Sequence, residues 1–206
     1  MPETAGALDP AEELAAWLME FSDLGFCLTL TRDRITEDVI RAYGIDPAQA
    51  RLLPLDDFLE VDPGGTGADE GTVIRFGHSG VTAFSLEYIG TTGGQNPVLA
   101  HLCSHTETIA LTATADGMTS VKHARDGVPL SSFEPDAPQE TRSGPGPHTF
   151  AELLQRVIAE RATDDEADRR TDLQDALRLV HDQYGDLPDP ATLSGPLLTA
   201  YLPDAP

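Results

Sequence analysis

The stretch HLCSH, His101 to His105, places two imidazoles and a thiol within one short run. On a helix His101 and His105 would stand at i and i+4 on one face, a spacing that chelates zinc or nickel. A pair is not a site, because such a metal takes a third and fourth ligand and outer partners that orient them. No HExxH or CxxC accompanies the pair, and Cys103 would point to a different face. A helix end with a buried cysteine is the preferred reading. His101 and His105 are therefore the candidates for a metal, and no metal or cofactor is expected.

Three further residues carry chemistry. His78 lies in a predicted hairpin turn, Glu87 in the strand that follows it, and His123 in a later strand. The sheet can bring them together, and a deep pocket lined by His78, Glu87 and His123 would be a site for a small molecule. No G-x-S-x-G elbow supports a nucleophile near them, so no catalytic residue is assigned. GTTGG, Gly90 to Gly94, is glycine-rich but lacks the phosphate-loop lysine and a strand-to-crossover-helix setting. It reads as an ordinary mobile loop. The acid pair Asp56-Asp57 and the run Asp164-Asp165-Glu166 read as solvated faces.

CLTLTRDRITEDVIRAYG, Cys27 to Gly44, has the strand, turn and helix start of an anion site, with Arg32, Arg34 and Arg41 at hand. Glu37 and Asp38 already occupy that helix start and would repel a phosphate. Arg34 with Asp38, or Glu37 with Arg41, makes a surface i, i+4 pair of about 0.3–0.5 kcal/mol. The structural reading wins.

The elements that must position these residues are legible. Asp9 and Pro10 open a helix whose Leu14, Trp17, Leu18 and Phe21 form one apolar stripe. FCLTLT is a strand, and Thr36 leads a short helix that Gly44 stops. A helical turn is expected around Leu52 to Leu59, then a glycine-rich loop to Asp69. TVIRF and VTAFSLEY flank GHSG as a hairpin, with Phe84, Leu86 and Tyr88 alternating to one side. A short helix runs from Pro97 to about His105. TIALTAT, MTSVKHA and VPLSSFE form a meander, separated by Asp116-Gly117 and Asp126-Gly127, the strongest hairpin signals in the chain. Residues 136–148 read as a Pro/Gly linker. Beyond it, Thr149 with Glu152 and Thr163 with Glu166 read as capping boxes that open two helices. Leu197 to Leu202 is an apolar segment that packs back on the rest.

The charge balance bounds the partners. The 206 residues carry 35 acidic against 13 basic side chains, a formal net charge of −22. That excludes broad contact with nucleic acid or an anionic membrane and suits a protein partner with a basic surface. Twelve arginines and one lysine, Lys122, with abundant Ala, Asp, Gly and Pro, indicate a high-GC genome. There is no signal-peptide pattern, no apolar run of spanning length and no disulfide framework, so a cytoplasmic location is expected.

FCLTLTRDRITEDVIRAYGIDP resembles the N-terminal signature of a family of uncharacterised proteins from Streptomyces and related actinobacteria, catalogued as a domain of unknown function. VIRFGHSGVTAFSLEYIG through HARDGVPLSSFEP is similar to the rest of that domain, including its closing DG…SF(D/E)P motif. Residues 14 to 136 carry the resemblance, with Gly80-Val81 where the family has Gly-Trp. The resemblance implies a fold whose recurrent residues are turn glycines and core apolar positions, and it implies no catalytic residue.

The fold expected is α+β: a mostly antiparallel sheet of five to six strands with helices packed on it, plus a C-terminal helical appendage. The expected organisation is an α+β domain over 1–135, a linker over 136–148 and the appendage over 149–206. The expected function is a non-catalytic acidic protein-interaction module, regulatory or immunity-like. The alternative is a small-molecule-binding protein or enzyme using the sheet face and the 90–94 glycine loop.

Overall fold

The computed structural model describes residues 9–21, 23–57, 72–161, 171–185 and 187–202. The expectations for Leu59 to Asp69 and for Thr163 to Glu166 lie outside them.

Helix α1 (Pro10–Met19) begins as its sequence dictates, with Asp9 Oδ1 accepting from the Ala11 N–H at 2.9 Å and Pro10 at the first helical position. It buries Leu14, Trp17 and Leu18. Strand β1 (Phe26–Arg32) and helix α2 (Thr36–Ala42) follow, then a 3-10 turn (Pro47–Gln49) and the three-residue strand β2 (Arg51–Leu53). Strands β3 (Thr72–Ser79) and β4 (Thr82–Tyr88) form a hairpin in which Gly80 takes φ +56°. A 3-10 turn (Thr92–Gly94) leads to helix α3 (Asn96–Leu102). Strands β5 (Glu107–Ala113), β6 (Thr119–Arg125) and β7 (Val128–Phe133) make the meander. The β6–β7 turn is Asp126-Gly127 with both residues at positive φ, the two-residue geometry that matches strand twist. Helices α4 (Thr149–Arg161), α5 (Asp172–Tyr184) and α6 (Pro190–Ser194) precede strand β8 (Leu197–Leu202).

The sheet has eight strands in the order β2-β8-β3-β4-β1-β5-β6-β7, and each paired neighbour is antiparallel. The expectation of five to six strands is corrected by β2 and β8. Each is short, and each finds its partner in the other across most of the chain, a tertiary signal that no local pattern carries. A separate C-terminal appendage is not confirmed. Leu154, Leu177, Val180, Leu193 and Leu197 belong to the same apolar core as Leu14, Leu28 and Phe84. The helices after Pro147 complete the main sheet because their buried stripes have no other surface to cover.

Residues 136–148 are tied to the sheet rather than free. Ser132 and Ser143 exchange backbone hydrogen bonds of 3.0 and 2.8 Å, and the Gly146 N–H donates to the Leu130 carbonyl at 2.8 Å. Helix α4 starts at Thr149 itself, with the His148 carbonyl accepting from the Glu152 N–H. In α5 the capping box is Thr171 with Gln174.

The two faces of the sheet differ. Leu28, Leu30, Phe84, Leu86, Ile109, Leu111 and Val121 share one face under α1, α4 and α5. The alternate residues, Cys27, Thr29, Thr31, Ser85, Glu87, Thr108 and Thr112, share the other and are also buried. An antiparallel sheet with one apolar and one polar face ordinarily leaves the polar face wet. Here α2, the 92–94 turn and α3 cover it. No helix among the described residues is long and apolar enough to cross a membrane.

Candidate functional site

Glu87 is the centre of the polar face and has no solvent exposure. Its Oε2 accepts from the Thr92 N–H at 2.8 Å and its Oε1 from the Gly93 N–H at 2.5 Å. The Tyr43 hydroxyl, carried in by the end of α2, donates to Oε1 at 3.2 Å. Ser85 Oγ lies 2.6 Å from that hydroxyl and 2.5 Å from Thr29 Oγ1. A carboxylate only accepts, so the donors run in one direction: Thr29 to Ser85 to Tyr43 to Glu87. Burial pushes the Glu87 carboxyl above its ordinary range, while the Gly93 and Thr92 amides and the Tyr43 hydroxyl pull it back. A buried carboxylate costs several kcal/mol unless donors surround it, and here three do.

The glycine loop is packed on this face, not held above it. A Cβ on Gly93 would stand 2.2 Å from the Tyr43 hydroxyl and 2.6 Å from the Thr29 methyl. Glycine allows the backbone to reach the carboxylate, and the loop fills the space a ligand would need there. Burial and the nearby Glu87 charge raise the Cys27 thiol, so it is an inert core group. Beyond Gly94, whose carbonyl accepts from Lys122 Nζ at 2.6 Å, a cleft of about 380 Å³ opens between α3, β7 and residues 143–145.

His123 projects from the opposite face, since its strand neighbours Lys122 and Ala124 share the Glu87 side. His123 Nε2 lies 2.6 Å from Glu107 Oε1, which also accepts from Arg125 Nη2 at 2.7 Å. Burial raises the Glu107 carboxyl, but the His123 hydrogen bond, the His123 and Arg125 charges and Tyr184 outweigh it and hold it at about 2. Arg32 lies over the Tyr184 ring at 5.6 Å. This cluster ties β5 and β6 to α5. His78 is exposed near the β3–β4 turn, on the Glu87 face but four pairing steps along the sheet. The structure does not bring His78, Glu87 and His123 into one pocket.

His101 and His105 do not share a helix face. Helix α3 stops at Leu102, and His105 sits beyond it at φ +59°. Among the described residues no group of three or more His, Cys, Asp or Glu is placed to hold a metal. The arginines of the Cys27–Gly44 stretch are engaged locally. Arg34 lies 3.7 Å from Asp38 and its guanidinium donates to the Ser104 carbonyl, while Arg41 pairs with Asp38 at 2.8 Å.

A surface feature has no local sequence signal. Three loops meet at the end of the sheet where β1 begins and β4 and β5 end. The Ile89 N–H donates to the Gly25 carbonyl at 3.2 Å, and Gly25 packs against the backbone of Ala113 and Thr114. Leu24, Ile89 and Met118 are each exposed on these loops, and Ile89 is held at φ +62°, a costly conformation for a β-branched residue. Glu20, Asp23 and Asp116 are the exposed charges beside them, and these loops carry no lysine or arginine.

Residues 13–180 match a family described as "Family of unknown function (DUF6461)". No curated protein and no solved structure matches the chain.

Proposed function

The chain belongs to DUF6461, a family of unknown function, and we propose that it is a non-catalytic acidic interaction module, regulatory or immunity-like, whose partner is a protein with a basic surface. The observation that carries this reading is the exposure of Leu24, Ile89 and Met118 on loops at one end of the sheet, loops that carry exposed acids and no lysine or arginine. Exposed apolar side chains anchor an interface, and surrounding charge of one sign selects a partner of the other and speeds encounter. The strained backbone at Ile89 supports it, because such strain is retained where a side chain must be presented. The buried ionisable groups are consistent with a scaffold: Glu87 holds a loop and Glu107 holds a histidine and an arginine.

The setting proposed is the cytoplasm of a high-GC actinobacterium, supported by twelve arginines to one lysine and by two buried free cysteines. The test is capture from host lysate on immobilised protein at low salt. A basic protein should be retained, released by salt, and lost with the double variant Leu24→Asp, Met118→Asp, whose circular dichroism stays that of the parent. Absence of any such protein, or retention that survives the double variant, overturns the reading.

A further inference from the structure

We propose that the cleft beside Lys122 is a binding site for a small organic carboxylate with a short apolar body. Lys122 is the only lysine of the chain, and it is half-buried on the polar face of β6. Its Nζ donates to the Gly94 carbonyl at 2.6 Å, which fixes the ammonium at the mouth of the glycine turn and leaves two N–H groups. No carboxylate pairs with it among the described residues, although the chain carries 35 of them, and the cleft walls contain no acid. A partly buried cation without a counter-charge is stabilised by any anion that reaches it.

The rest of the cleft suits the other half of such a ligand. Asn96, Ser132 and Ser143 supply polar groups around the entrance, while Leu99, Pro129 and Pro145 give apolar walls. Its volume of about 380 Å³ lies in the range of small-molecule sites. The walls are built rather than incidental. The paired Ser132 and Ser143 backbones hold residues 143–145 against β7, and Gly144, at φ +104°, approaches the Leu130 carbonyl so closely that a Cβ would stand 2.5 Å from it. The site shares no residue with the docking loops and stands or falls separately from them.

The experiment titrates the full chain with benzoate, benzyl alcohol and inorganic phosphate while following the amide resonances of Leu99, Ser132 and Ser143. Benzoate should shift them saturably, with benzyl alcohol weaker by about tenfold or more, the scale of one charge-assisted contact. Lys122→Met should lose about the same factor. Ser143→Trp, a change on the exposed rim, should block the cleft without touching the ammonium and serves if Lys122→Met does not fold. No saturable shift, equal affinity for benzoate and benzyl alcohol, or unchanged affinity in both variants overturns the proposal. Phosphate binding as well as benzoate would also overturn it, because the apolar walls would then contribute nothing.

Discussion

Arg75 and Leu193, 118 residues apart, are joined inside the protein: Nη1 of Arg75 donates to the Leu193 carbonyl at 2.5 Å. Nη2 donates to Gly195 at 2.7 Å and to Leu53 at 3.0 Å. Arg75 has no solvent exposure, and burial lowers its pKa. Two of these carbonyls, Leu193 and Gly195, lie at the end of α6, where helix carbonyls carry partial negative charge. One guanidinium thus fastens β2 and the α6 end to β3. Replacement of Arg75 by Met should cost more than about 3 kcal/mol, since three charge-assisted bonds are lost and three carbonyls are orphaned. Arg75→Lys should recover only part, because an ammonium lacks the fork. Urea unfolding measures both, and a loss within about 0.5 kcal/mol would refute the fastening role.

Glu87 predicts a pH dependence of one sign. Its folded-state value stands above the unfolded one. Its contribution is therefore fully present below the ordinary carboxylate range and is lost as pH rises through the folded value. In Glu87→Gln that decline should vanish from the stability curve between acid and neutral pH. A parent and variant with parallel curves would contradict the assignment.

Glu107 predicts the opposite sign. Its folded value of about 2 lies below the unfolded one, so its contribution is present above the ordinary carboxylate range and is lost as pH falls toward about 2. Glu107→Gln should be less stable than the parent at neutral pH, with the gap closing in acid. Chemical denaturation across that window reads the difference directly.

Gly93 should not accept a side chain. Alanine would press its Cβ on the Tyr43 hydroxyl and the Thr29 methyl, forcing the turn off the Glu87 carboxylate at a cost of about 1–3 kcal/mol. Hydrogen exchange at the Thr92 and Gly93 amides should quicken in Gly93→Ala. Unchanged exchange would show that the turn is held by something else.

These relationships explain what the sequence displays and what it hides. Alternation in FCLTLT and FSLEY identifies strands and their apolar face, and Asp-Gly marks two turns, because these signals are local. The same alternation suggests a wet second face. Nothing local says that α2 and a glycine turn lie on it, so Glu87 reads as one wall of an open pocket with His78 and His123 rather than as a carboxylate enclosed by Thr92, Gly93 and Tyr43. Arg75 hides for the same reason, as an arginine whose three acceptors come from distant segments. The i, i+4 spacing of His101 and His105 assumes a helix that in the structure ends at Leu102, while the preferred reading, a helix end with a buried cysteine, matches Cys103. Leu24, Ile89 and Met118 are ordinary singly, and only the fold puts their loops at one end of the sheet.

Strand β8 lies between β2 and β3, and the backbone ladder joins those two strands only through it. On a ribosome, residues 51–53 must therefore wait until residues 197–202 have emerged, and β3 spends that interval as a bare edge. Non-local closure of this kind slows folding and leaves a template for unwanted pairing in the meantime. Until residues 197–202 arrive, that edge is open to any strand that offers a free ladder.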